Sequence, residues 1–155
     1  MSFRSTVLLL LCLFSFTACQ DSFIYDQAVE PSGNTWTYDQ ALNFDFNVQD
    51  TSLRYEFLLD IKHSHDYPFQ NLYTRITTVF PDDTEQQDIV SLELANKLGL
   101  WEGKCRGDFC ALTIALQERA RFDTPGDYQL RFEQYSRQDS LPGLEEFRLR
   151  IALKE

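Results

Sequence analysis

From Ala41 onward, apolar side chains recur at every second position. Leu42, Phe44, Phe46 and Val48 alternate with Asn43, Asp45 and Asn47. A period of two puts one set of side chains on one face of an extended chain. After a turn at Gln49-Asp50-Thr51 the alternation resumes with Leu53, Tyr55, Phe57, Leu59 and Ile61. Residues 72–80 are rich in Thr, Ile, Val and aromatics, which suit a pleated surface. Pro81-Asp82-Asp83-Thr84 reads as a turn and residues 89–94 as the returning strand, so Asp82 and Asp83 are turn chemistry rather than an acid–base pair. Cys110, Leu112, Ile114 and Leu116 alternate again. Residues 111–122 also fit a helix, but the β-branched Thr113 and Ile114 and the neighbouring strands favour extended chain. Phe122 to Asp127 turns around Pro125-Gly126; Tyr128, Leu130 and Phe132 open the next strand, and Phe147, Leu149, Ile151 and Leu153 form the last.

Seven or eight short strands with no helix between them predict an all-β fold. The expected architecture is a single antiparallel β-sandwich over residues 36–155, one face of each sheet buried. Immunoglobulin-like and jelly-roll topologies fit this pattern equally. Residues 19–35, polar apart from Phe23-Ile24-Tyr25 and broken by Pro31-Ser32-Gly33-Asn34, read as a tether.

Composition narrows the class. With 155 residues, 43% hydrophobic and 14% aromatic, the chain is large and apolar enough for one domain core. Its 24 acidic and 14 basic residues give a net charge of −10, which argues against a nucleic-acid partner. No stretch approaches the ~20 apolar residues of a membrane span.

The N-terminus reads as an address. Arg4 precedes an apolar run from Val7 to Phe16, followed by Thr17-Ala18-Cys19, the layout of a secretory signal over residues 1–18. Phe16-Thr17-Ala18-Cys19 resembles a bacterial lipobox, with Phe16 where Leu is usual. The resemblance implies cleavage before Cys19, a diacylglyceryl thioether on its sulfur and a further acyl chain, ordinarily palmitate, on its amine. Two or three chains hold a protein at a membrane far more firmly than one. Gln20 follows, where an inner-membrane-retaining Asp is absent, so the expected location is the outer membrane, facing the periplasm.

Export also interprets the cysteines. Cys12 leaves with the signal and Cys19 is lipidated, so Cys105 and Cys110 remain as an even pair in an oxidising compartment and read as a disulfide. No phosphate loop, nucleophile elbow or H-E-x-x-H is present. His63 and His65 would share a strand face, but with only Asp66 beside them they read as solvated rather than as metal ligands. The expectation is a non-enzymatic module with no cofactor, metal or small-molecule substrate.

Asp66-Tyr67-Pro68-Phe69-Gln70-Asn71-Leu72-Tyr73 stands out, with two aromatics around a proline. Tyr67 and Phe69 either plug the end of the sandwich or form an exposed patch for a partner. With the lipobox and the β-rich body, this run resembles the gliding-motility lipoprotein GldH family of Bacteroidetes. The same family is resembled by Leu92-Glu93-Leu94-Ala95, by Gly99-Leu100-Trp101-Glu102-Gly103-Lys104 and by Gly107-Asp108. Pro125-Gly126-Asp127-Tyr128, Phe132-Glu133-Gln134, Leu141-Pro142-Gly143-Leu144 and Leu149-Arg150-Ile151 continue the likeness. Cys105 and Cys110 lie outside the family's pattern, and Phe147 and Arg148 stand where it tends to have Val and Gly.

The resemblance implies a non-catalytic lipoprotein needed for surface gliding and associated with type IX secretion, working with other envelope proteins. Tyr67, Pro68, Phe69, Asn71, Trp101, Gly107 and Asp108 are its candidate partner-binding residues. The competing reading is a glycan-binding surface lipoprotein, which needs Trp36 or Trp101 exposed on a sheet face.

Overall fold

The computed structural model describes residues 23–154; the signal segment and Cys19 lie outside them. The all-β expectation holds, but the count and layering differ. Among the described residues, eleven strands and one 3-10 turn at Ser32–Asn34 form three antiparallel sheets rather than a single sandwich of seven or eight strands.

The five-stranded sheet has the order β1 (Phe23–Val29), β11 (Leu144–Lys154), β4 (Arg54–Ser64), β8 (Phe109–Ala120) and β7 (Lys104–Arg106). The four-stranded sheet has the order β3 (Leu42–Val48), β9 (Gly126–Gln134), β5 (Asn71–Val79) and β6 (Glu85–Glu93). A ribbon of β2 (Thr35–Thr37) and β10 (Ser140–Pro142) makes the third.

Alternation sets the two large sheets face to face. Leu42, Phe44, Phe46 and Val48 of β3 are buried, as are Tyr55, Phe57, Leu59 and Ile61 of β4, while the residues between them are more exposed. Phe46 meets Tyr25, Phe57 and Tyr128 at ring-centroid distances of 5.9, 5.5 and 5.8 Å, which ties β1, β4 and β9 into one core. Fully burying rings such as Phe44, Phe132 and Phe147 contributes about 1.5–3 kcal/mol each. Leu53, expected inward, is 37% exposed because it precedes the first residue of β4.

The stretch expected to be a tether is structured from Phe23 on. β1 pairs with β11 from Phe23↔Ala152 to Val29↔Phe147, and Asp26 forms an ion pair with Arg148. The folded unit therefore begins thirteen residues before position 36. As an edge strand, β1 buries little of its length, so its sequence lacks full alternation. Just beyond it, Trp36 of β2 is completely buried against Phe147, with Nε1 donating to the Gln40 carbonyl at 2.8 Å.

Strand direction gives the molecule two poles. Phe23, Arg54, Ala120 and Lys154 mark one; Val29, Ser64, Phe109 and Leu144 mark the other.

Candidate functional site

The residues singled out from the sequence gather at the second pole. β4 ends at Ser64, whose amide donates to the Gly143 carbonyl at 2.7 Å. The chain then turns so that the His65 amide donates to the Asp108 carbonyl at 2.7 Å, and the Tyr67 amide to the Ser64 carbonyl at 3.1 Å. Trp101 Nε1 donates to the His65 carbonyl at 3.0 Å. Three separate loops are thereby fastened together: 65–70, the Trp101 loop, and the Gly107-Asp108 turn.

Within this knot, aromatic rings pack edge-on or tilted against one another. Trp101 and His63 lie 4.6 Å apart, His63 and Tyr67 5.9 Å, and Tyr67 and Phe69 5.7 Å. Tyr67 is only 4% exposed and belongs to the core, so of the two readings of the Tyr67–Phe69 pair, the plug describes Tyr67. Pro68 is exposed, Phe69 and Trp101 half-buried, and Asn71 donates to Ser91 Oγ at 2.8 Å. Gly103, with φ +82°, lets the Trp101 loop lie against β8: a Cβ there would meet the Ala111 carbonyl oxygen at 2.2 Å. Gly107, also left-handed at φ +58°, faces open space and serves the turn alone.

The two histidines do not converge. His63 is completely buried, its Nδ1 2.8 Å from the Ser64 carbonyl oxygen, whereas His65 is exposed beside Asp66 at 3.8 Å. Among the described residues no three His, Cys, Asp or Glu side chains are grouped to hold a metal. Burial, the larger influence, lowers the His63 pKa, and the nearby His65 adds to it against the Ser64 carbonyl. Burial raises the Tyr67 hydroxyl far above the ordinary phenol value. Neither His63 Nε2 nor Tyr67 Oη has a hydrogen-bond partner among the described residues. A buried polar atom left without a partner costs about 1–3 kcal/mol.

Cys105 and Cys110 are disulfide-bonded across the β7–β8 hairpin, next to Gly107-Asp108. The bond fixes the turn whose Asp108 carbonyl holds His65.

Two features of this pole were missed from the sequence. First, residues 96–100 form a tight loop around Asn96, whose side-chain oxygen accepts from the Leu98 and Leu100 amides at 2.9 and 3.1 Å. The Asn96 amide donates to the Leu100 carbonyl, and that of Gly99 to the Asn96 carbonyl. The loop is pinned internally, yet it presents Leu98 and Leu100 to solvent at 85% and 62% exposure. Second, Tyr38, Phe69, Tyr73, Ile89 and Tyr135 line an open groove of about 800 Å³. The Tyr38 hydroxyl donates to the Ser136 carbonyl, and the Arg75 guanidinium lies 4.7 Å over the Tyr135 ring. The Asn-x-Leu-Gly-Leu spacing was the available signal for the loop. The tyrosines are scattered along the chain and gave none.

Fold and pole together define a β-rich domain with an aromatic-buttressed apolar tip. The chain belongs to the GldH lipoprotein family, which it matches over residues 23–151, the whole of the folded unit but for the end of β11. It is similar to a gliding motility lipoprotein GldH homolog of Christiangramia forsetii, 24% identical over 143 residues that cover 92% of this chain and 87% of that protein. It is also similar to the gliding motility lipoprotein GldH of Flavobacterium johnsoniae, 24% identical over 146 residues covering 94% and 90%.

Proposed function

We propose that this chain is a non-catalytic lipoprotein of the gliding apparatus, anchored through Cys19 to the outer membrane on its periplasmic side. In this reading it binds another envelope protein of the gliding and type IX secretion machinery with its second pole. Family membership supports the process, and the similarity to gliding motility lipoproteins along nearly the full chain supports a shared role.

The observation that carries the binding role is the Leu98–Leu100 loop. Exposed leucines on a loop already held by its own hydrogen bonds lose little conformational freedom when covered, which favours association. Phe69, Trp101 and the tied loops behind it supply a rigid base.

The test is a crosslinked pull-down of the tagged protein from its native envelope, read by mass spectrometry, with Cys19→Ala as the anchoring control. Gliding or type IX secretion proteins are expected with the wild type and lost with Leu98→Ser/Leu100→Ser, whose circular dichroism and melting stay unchanged. Equal recovery by that variant would refute the loop as the contact. The glycan reading loses its tryptophan basis, since Trp36 is buried and Trp101 belongs to the loop knot. Saturable binding of a polysaccharide, abolished by Tyr73→Ala, would restore it.

A further inference from the structure

The first pole has a chemistry of its own. Ile24, Leu53 and Leu153 are 49%, 37% and 49% exposed there, although most neighbours of the same type are buried. They lie on three adjacent strands or their immediate ends: β1 meets β11 at Phe23↔Ala152, and Leu153 of β11 pairs with Tyr55, two residues from Leu53. Basic side chains ring them. Arg54 opens β4 and donates to the Ser52 and Leu53 carbonyls at 3.5 and 3.3 Å; Arg121 follows β8. Lys154 closes β11, its ammonium 2.8 Å from Glu56 and still 43% exposed.

Two acidic side chains, Glu56 on β4 and Glu118 on β8, lie on the five-stranded sheet near the pole, Glu56 paired with Lys154; the others sit elsewhere. Asp82 and Asp83 occupy the β5–β6 turn and Asp127 lies on β9, on the four-stranded sheet, while Asp123 lies in the β8–β9 connection, two residues beyond Arg121 and close enough to act on Tyr128 of β9. Asp50 is tied down by the Ser52 amide and hydroxyl. Beneath the five-stranded sheet the pole is thus apolar-basic, its exposed aliphatics beside Arg54, Arg121 and Lys154 against Glu56 and Glu118, while its acidic turns lie toward the other sheet.

The chain enters the fold at the apolar-basic half. Only Gln20, Asp21 and Ser22 separate Cys19 from Phe23, so a lipid on Cys19 is at most ~14 Å of extended chain from β1. We propose that Ile24, Leu53 and Leu153, with Arg54, Arg121 and Lys154, form a seat on an anionic phospholipid bilayer, tilting the domain toward its five-stranded sheet. This rests on Cys19 being the anchored residue. Aliphatic side chains at the headgroup boundary and cations against anionic lipid are the two attractions an interfacial contact uses. The Leu98–Leu100 loop then points away from the membrane, about an eleven-residue strand or ~35 Å higher.

The experiment uses the full lipoprotein reconstituted in vesicles of phosphatidylethanolamine and phosphatidylglycerol. An environment-sensitive fluorophore is placed at Leu153→Cys or, in a second variant, Leu53→Cys; Lys97→Cys reports the opposite pole. Blue-shifted emission and strong quenching by nitroxide-bearing lipid are expected at positions 153 and 53, and neither at 97. Acyl mass on the Cys19 peptide is measured on the same sample. An acylated chain whose three probes behave alike overturns the seat while leaving the anchor standing. A chain without acyl mass overturns the anchor and the seat with it.

Discussion

His63 sits where chemistry and stability pull apart. The sequence reading takes it as solvated at a strand end, but it lies on β4 in phase with Tyr55, Phe57, Leu59 and Ile61 and is completely buried, because the phase of the strand continues through it. What spacing did not convey is that the strand ends one residue later, which turns His65 outward and breaks the pair. In the fold the neutral form is favoured, since burial lowers the pKa and Nε2 faces no partner among the described residues. The unfolded chain takes up a proton near pH 6.5 that the folded chain resists, so the unfolded state binds more protons and stability falls as pH drops. The contribution is complete above about 6.5 and is lost progressively down to the lowered folded value. The hydrogen-bonded carboxylates Asp26, Asp50 and Asp82, all lowered, lose their contributions only below the ordinary Asp range. Thermal melting between pH 7 and 5 should therefore show a declining midpoint for the wild type and a nearly flat one for His63→Gln. An equal decline in both would remove His63 as the cause.

At the scale of elements, what could be read depended on length and on having one wet face. β3, β4, β9 and β11 alternate because each separates core from solvent, and their positions follow from the sequence. β2, β7 and β10 have three residues each, too few for any period to register, and β6 hid behind its polar start Glu85-Gln86-Gln87-Asp88. The site was legible to the same degree. The run from Asp66 to Tyr73 was recognisable as a unit, but whether Tyr67 pointed inward depended on the turn at Ser64, which no local pattern encodes. The cysteine pair was read from compartment alone, and the β7–β8 hairpin supplies the geometry: Cys105 and Cys110 are direct cross-strand partners. Cys105→Ala/Cys110→Ala should cost about 2 kcal/mol in denaturant unfolding, by freeing the unfolded chain. Because Asp108 holds the His65 amide, hydrogen exchange there should accelerate in the same variant. Unchanged protection at His65 would mean that the turn holds its shape without the bond.

For the whole molecule, the position of β1 governs how the domain meets its anchor. A flexible tether would let the body diffuse over a wide cap, whereas a strand paired along β11 fixes where the chain leaves the fold. The strand also shields β11, which would otherwise be an exposed edge, and places Tyr25 against Phe46 in the shared core. Replacing residues 23–29 with an equally long Gly/Ser segment keeps the distance to Cys19 while removing the strand and its side chains. That replacement deletes an inter-strand ladder, the Asp26–Arg148 pair and a partly buried ring, and should lower stability by several kcal/mol, enough to threaten folding in a domain of ordinary stability. It should also raise aggregation, as β11 becomes available for pairing between molecules. Unfolding midpoints and light scattering on protein lacking the signal and Cys19 measure both effects without a membrane. A variant as stable and monodisperse as the parent would return residues 23–29 to the role of a spacer, and the orientation of the two poles relative to the membrane would no longer follow from the fold.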